Sequence, residues 1–192
     1  MRRIVAGLYI SLDGVIESGW TGHSPAISPT DPLTSSYFND REVNQAVGAM
    51  MAPNDTMLMG RLTYEGLAAF FAPQTGEYAD SMNAMPKYVV SDTMDKAEWK
   101  NTTVLHSQDL VAQITALKEQ PGSSIGVGGS ATLLRWLLAN GLLDELQLLV
   151  FPLILGSGTR LYADGQAPAE LTLTSSRALA NGVLHLTYVR AA

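Results

Sequence analysis

Two segments of the chain place glycine where a strand pattern gives way to a helix pattern. The first is Leu58-Met59-Gly60-Arg61-Leu62-Thr63-Tyr64-Glu65. The opening turn of a helix leaves backbone N–H groups without intrahelical partners, and the helix dipole adds positive potential there, so such a junction attracts phosphate. Gly60 allows close approach, Arg61 brings a planar, permanently charged donor fork, and Thr63 brings a hydroxyl. The second segment is Ile125-Gly126-Val127-Gly128-Gly129-Ser130-Ala131-Thr132, which has the form of a diphosphate cradle at the start of another helix. Taken singly, Arg61 serves as well as a solvated charge, and the glycines as a tight turn between strand and helix. Two such junctions in one chain favour a nucleotide.

The second segment also fits the G-x-G-x-x-A dinucleotide fingerprint. A Rossmann domain wants an acidic residue about twenty residues further on, at the end of the next strand. Here Asp144 and Glu145 stand before the next strand, at its wrong end. The phosphate reading is kept, and a Rossmann-type NAD dehydrogenase remains only as a rival.

Ser11-Leu12-Asp13-Gly14 closes the first strand pattern. Ligands of open α/β sheets sit beyond the carboxyl ends of strands, where Asp13 can orient a substrate or supply a proton. Asp-Gly is equally an ordinary turn pair. Other chemistry is weaker. His23, His106 and His185 lie far apart, and none is paired with an acid at ligand spacing, so no metal site is expected. Gly156-Ser157-Gly158 is too short for a nucleophile elbow. The absence of cysteine removes disulfides, thiolate metal sites and thiol nucleophiles.

The elements that position these residues follow from the hydrophobic period. Residues 4–10 form a buried strand, and a loop rich in Gly, Ser, Pro and Thr runs to about Ser36, long enough to point to function. Phe38, Val43, Ala46, Val47 and Met50 set a helix over 37–51. A strand at 56–59 leads through Gly60 into a helix ending at Phe71. Residues 72–85 read as a loop, and 87–91 and 103–106 as strands. Ser107 caps the next helix, with Asp109 in its first turn and Pro121-Gly122 as its stop. Residues 124–127 form a strand and 130–140 a helix that ends on Gly141 in the left-handed region. A long apolar strand spans 146–155. Asn181-Gly182, between alternating segments, signals a hairpin with both turn residues at positive φ. Strand–helix alternation gives a parallel sheet, and the terminal hairpin makes it mixed.

The 192 residues suit one domain spanning 1–192, and a 46% hydrophobic content fills its core. A net charge of −6 without a basic run gives neither nucleic acid nor an anionic membrane the Lys/Arg surface that it needs. No apolar run reaches membrane-spanning length. Met1-Arg2-Arg3 and the short apolar stretch after it read as a first strand rather than a secretion leader. With no cysteine, a cytoplasmic location is expected. The strand at 146–155 and the hairpin offer surface for a homodimer.

These motifs in this order resemble the dihydrofolate-reductase-like family that includes the C-terminal reductase domain of the bifunctional riboflavin-biosynthesis protein, and most of all its stand-alone bacterial members. The resemblance rests on Ser-Leu-Asp-Gly at 11–14, Met-Gly-Arg-Leu-Thr-Tyr-Glu at 59–65, Val-Val-Ser at 89–91, Gly-Val-Gly-Gly-Ser at 126–130 and Pro-Leu-Ile-Leu-Gly-Ser-Gly at 152–158. It implies a three-layer α/β fold with helices on both faces of a mixed, mostly parallel sheet. It implies hydride transfer from NADPH to a C=O or C=N group of a small polar substrate, such as a ribosylaminopyrimidine or a pterin. Gly60, Arg61 and Thr63 would hold phosphates, with Arg61 near the 2′-phosphate or the diphosphate and Ser91 near the adenosine phosphate. Gly128, Gly129, Ser130 and Ala131 would cradle the diphosphate. Ala6 and the turn at Leu12 and Asp13 would lie near nicotinamide and substrate, with Pro152, Leu155 and Gly156 on the substrate side. The family also points to a homodimer. Dihydrofolate reductase engages the pterin through a carboxylate on its first helix, where this chain offers Asp40 and Glu42. The non-enzymatic rival is a domain of the same fold that binds a nucleotide or a partner without turnover.

Overall fold

The computed structural model describes residues 1–16, 26–162 and 164–191. The chain runs β1 (Ile4–Ser11), α1 (Ser35–Phe38), α2 (Arg41–Met51), β2 (Asn54–Gly60), α3 (Arg61–Phe71) and α4 (Glu77–Ala84). It continues through β3 (Lys87–Val90), β4 (Thr102–Leu105), α5 (Leu110–Glu119), β5 (Ser124–Val127) and α6 (Ala131–Ala139), and ends with β6 (Glu145–Phe151), β7 (Leu171–Ala178) and β8 (Leu184–Arg190). All eight strands join one sheet in the order β4-β3-β2-β5-β1-β6-β8-β7. Strands β1 to β6 pair in parallel, while β8 runs antiparallel to both β6 and β7. This is the mixed, mostly parallel sheet expected, and its order is not the 3-2-1-4-5-6 of a Rossmann domain.

The alternation of β1 sets the layers, because successive strand residues point to opposite faces. Ile4, Ala6, Leu8 and Ile10 pack in one cluster with Ile114 and Leu117 of α5 and with Leu133, Leu134 and Leu137 of α6. Ile114, Leu134 and Leu137 are wholly buried in this layer. On the opposite face Tyr9 meets Phe38 and Phe151 edge-on, with ring centroids 5.2 and 6.0 Å apart, beside Val43, Ala46 and Met50. Further along that face Met57, Met59 and Val89 pack under Tyr64, Leu67 and Phe71 of α3 and Met82 of α4. Each fully buried side chain of this size contributes about 1.5–3 kcal/mol. Gly7 interrupts β1 because a side chain there would come within 2.8 Å of Met50 Cε, so glycine lets α2 lie close to the sheet.

Several local expectations are corrected. The helix expected over 37–51 is two helices, because Asp40 accepts hydrogen bonds from the N–H groups of Glu42 and Val43 and restarts the helix as an N-cap. Residues 72–85 are not all loop, since α4 forms within them and buries Ala79, Met82 and Asn83 at helical spacing. Ser107 does not cap α5; Asp109 holds the N-cap position in a left-handed conformation. Strand β6 stops at Phe151 rather than 155, and it lies between β1 and β8 with Leu146, Leu149 and Phe151 buried. Beyond β6 the same segment exposes Ile154, and the hairpin exposes Leu173. In the hairpin turn Gly182 takes a φ of 86° while Asn181 does not take a positive φ. Gly182 N–H donates to Leu179 O, closing a four-residue turn whose last residue is the left-handed glycine.

The amino edge of the sheet is pinned by charges. Arg2 is buried and pairs with Asp55, and it also donates to Thr56 Oγ1 and Ser123 O. Asp144 accepts from Ile4 N–H and pairs with Lys118, each at 2.7 Å, and Glu145 pairs with Arg3 at 2.7 Å. Both acids after the glycine loop are thus engaged at the edge opposite that loop. Among the described residues no helix is long and apolar enough to cross a membrane.

Candidate functional site

Strands β2 and β5 are neighbours with Leu58 level with Val127. The chain therefore leaves β2 at Gly60 and β5 at Gly128 side by side, on the carboxyl edge. Gly60 is the N-cap of α3 and Ser130 the N-cap of α6, so two helix starts meet there. They are in contact. A side chain on Gly60 would overlap Ser130 Oγ, and one on Gly129 would come within 3.0 Å of Thr63 Oγ1. Gly129 has a φ of 133°, which favours glycine, and the Gly129–Ser130 peptide is cis. Gly128 is exposed, with open space where a side chain would be. Ser130 Oγ accepts from Leu133 N–H at 3.5 Å. The methyl of Ala131 is buried, so toward a ligand this residue presents its backbone N–H.

Arg61 pairs with Glu65 one turn on, at 2.8 Å, with both side chains nearly half exposed. Such a pair is weak and salt-sensitive, which leaves the guanidinium available to a phosphate. Ser91 follows β3 and is buried. Its Oγ accepts from Thr93 N–H at 3.2 Å, and its carbonyl lies 2.9 Å from His106 Nδ1. His106, which has no role in the sequence reading, joins Ser91 at this rim. His185 lies on β8 with Nε2 3.4 Å from Gln147 Oε1. His23 lies outside the described residues.

Asp13, the candidate proton donor, is tied into hydrogen bonds. Its Oδ1 accepts from Ser11 Oγ at 2.6 Å and Leu155 N–H at 3.0 Å, and its Oδ2 from Gly156 N–H at 2.9 Å. The Ser11 hydroxyl first, then these amides, hold its carboxyl at about 2. A group so low is ionised at neutral pH and has no proton to give. It works as a clamp. Leu12 N–H donates to Leu153 O at 2.8 Å, and Ile16 N–H to Thr159 O at 2.9 Å, so 12–16 and 153–161 form one hydrogen-bonded unit.

The cleft itself lies on the α2–α4 face of the sheet. A narrow cavity is walled by Gly7, Tyr9, Thr63 and Gly128, which brings it against the paired helix starts. It opens toward a cavity of about 630 Å³ walled by Phe38, Asn44, Val47, Phe70 and Glu77. Tyr9, Ile27, Val47, Phe71 and Tyr78 belong to both. Leu12, Asp13, Pro152, Leu155 and Gly156 line neither of these two cavities and meet in the clamp instead. Ala6 is buried on the far face, and its neighbour Gly7 takes the place at the cavity. The acids of α2 are also spoken for, Asp40 by its cap and Glu42 by Ala180 N–H at 2.9 Å. Burial pushes the Tyr9 phenol up to about 12, and the neighbouring Tyr78 adds to the shift. Tyr9 and Tyr78 have no place in the sequence reading. The signal for Tyr9 is Gly7, a glycine inside a strand that marks a close approach two residues away.

The chain is 27% identical over 197 residues to the uncharacterized protein YyaP of Bacillus subtilis (strain 168), covering 97% of this chain and 94% of that one. A putative riboflavin biosynthesis protein from Shewanella sp. PV-4 superposes with a TM-score of 0.66 at 20% identity, covering 99% of each chain. Dihydrofolate reductase from Enterococcus faecalis, solved in complex with NADP(H), superposes with a TM-score of 0.61 at 17% identity, covering 99% of this chain and 97% of that one. These structural likenesses show the fold. Residues 2–185 match the RibD C-terminal domain, and the chain belongs to that family.

Proposed function

We propose that the protein is an NADPH-dependent reductase that transfers hydride to a C=O or C=N group. One observation carries the reading: the two helix starts at Gly60 and Ser130 are packed together, and the cavity beside them is walled by Thr63 and Gly128 from the same two junctions. A dinucleotide with its phosphates held at the junctions would reach that cavity. The likeness to a dihydrofolate reductase solved with NADP(H) supports the choice of cofactor.

The residues fit the group. Gly128 leaves open space where a diphosphate would lie, while Gly60 and Gly129 let the two helix starts pack against each other so that both would offer backbone N–H groups to it. Arg61, released from Glu65, and Ser91, next after the Val90 that pairs with Gly60, would hold the 2′-phosphate. NADPH, when bound, supplies the hydride. Gly7 would let the reacting ring approach the sheet, and the apolar walls would keep water from it. The Asp13 clamp holds the end of β1, and with it Tyr9, in place. The direct test is a thermal melt with saturating NADPH, followed by NADPH oxidation with a panel of carbonyl compounds. A rise of several degrees with oxidation supports the reading. No rise contradicts it, and a rise without oxidation of any compound favours a binding domain without turnover.

A further inference from the structure

Resting on the reductase reading, we infer that the substrate is a neutral, largely apolar, planar carbonyl compound, held between α2 and α4 with its oxygen on the Tyr9 hydroxyl. The walls decide the charge. Among the described residues neither cavity is lined by any Lys, Arg or His, and the one carboxylate present is Glu77 in the first turn of α4. A phosphate or carboxylate carried into this cleft would lose water and gain no cation from the described walls, and the chain's net charge of −6 opposes it further. A pterin or aminopyrimidine ring fares no better, because α2 turns Asn44, Val47 and Met51 toward the cleft while Asp40 and Glu42 are bonded elsewhere. What the cleft does offer is aromatic and aliphatic surface from Phe38, Phe70, Phe71, Tyr78 and Ile27. Such walls suit a flat ring.

Of the polar side chains among the described walls, Tyr9 and Tyr78 belong to both cavities, and Tyr9 shares β1 with Gly7. The ring of Tyr9 is fixed between Phe38 and Phe151, and Tyr9 belongs to both the narrow cavity at Gly7 and Gly128 and the wider one. Burial keeps this phenol protonated through and beyond neutral pH. The step balances. The carbonyl carbon accepts hydride from NADPH, the C=O π pair moves onto oxygen, and the Tyr9 hydroxyl gives that oxygen its proton and recovers one from solvent. The carbonyl becomes an alcohol and NADPH becomes NADP⁺.

The test uses the full chain with three probes: 1-indanone as a neutral aromatic ketone, dihydrofolate as a pterin, and ribose 5-phosphate. Melting temperature is read with and without NADPH, and NADPH oxidation is read alongside. Expected are a further rise with 1-indanone beyond that from NADPH, its reduction, and neither effect from the two anionic probes. Tyr9→Phe is expected to lower kcat for 1-indanone about a hundredfold while leaving the NADPH-dependent rise intact. Asn44→Asp, which puts a carboxylate into the wider cavity alone, is expected to abolish the 1-indanone rise and spare the NADPH rise. The inference is overturned by stronger protection from dihydrofolate or ribose 5-phosphate than from 1-indanone, or by no protection from 1-indanone. It is also overturned by unchanged 1-indanone reduction in Tyr9→Phe. In each of these cases the NADPH rise persists and the reductase reading stands; loss of that rise in the unaltered chain overturns the reductase reading itself.

Discussion

Gly60 lies directly under Ser130, whose hydroxyl stands where a side chain on Gly60 would begin. Gly60→Ala must push Ser130 aside, which breaks its cap on Leu133 N–H and shifts the loop at 128–130. The expected cost is about 1–3 kcal/mol in a denaturant melt, together with at least about a tenfold loss of NADPH affinity from the misplaced N–H groups. Adding Ser130→Ala should recover part of the stability, because Ser130 Oγ is gone and only its Cβ, at 3.2 Å, remains close. Strict additivity of the two changes would show that the contact is not what makes Gly60 necessary.

Asp13 ties the end of β1 to the 153–161 segment through Leu155 and Gly156. Its folded pKa of about 2 lies below the ordinary 3.8. Its contribution to stability is therefore present above pH 3.8 and is lost as pH falls through about 2. Asp13→Asn should lower the denaturation midpoint at neutral pH, and the gap from the unaltered chain should close progressively below about pH 4. A gap that stays constant over that range would mean that the carboxylate's charge does not hold the clamp.

Lys87 is buried at the start of β3, at the edge away from the cleft. Its ammonium donates to Asn83 O, Met85 O and Lys100 O at 3.1, 2.7 and 3.3 Å and lies 4.3 Å from the centre of the Trp99 ring. Lys87→Met leaves these carbonyls without their donor, at a cost of about 1–3 kcal/mol, with NADPH binding unchanged. Burial, and then the charge of Lys100, lowers its pKa from 10.5 to about 8. The unfolded chain then holds the proton more tightly, so the stability of the unaltered chain relative to Lys87→Met should rise between about pH 8 and 10. Melts across that range check the sign.

Much of this is legible in the residues. Gly60-Arg61 and Gly128-Gly129-Ser130 fall at strand–helix junctions because hydrophobic period and glycine both mark the boundary locally. The misplaced Asp144 and Glu145 exclude a Rossmann reading for a reason that the fold repeats, since both are pinned at the amino edge. What local pattern does not carry is how elements meet. That Gly60 touches Ser130 depends on β2 and β5 being neighbours, a consequence of crossover topology. Their register pairs Leu58 with Val127, so Gly60 stands just past the last of these pairs, level with the glycine loop. In the sequence Asp13 is a turn residue with a proton to offer, and only the distant amides of Leu155 and Gly156 reveal the clamp. Helix α4, and Tyr78 with it, leaves little trace in the hydrophobic pattern because its buried face is only Ala79, Met82 and Asn83.

Calorimetric titration of the chain with NADPH and NADH, repeated on Arg61→Ala, decides whether the paired helix starts hold NADPH with Arg61 on its extra phosphate. Expected are one NADPH per chain, NADPH bound at least about tenfold more tightly than NADH, and a loss of about 1.4 kcal/mol or more for NADPH alone in Arg61→Ala. No binding of NADPH, or equal affinity for the two cofactors in the unaltered chain, would overturn the proposal.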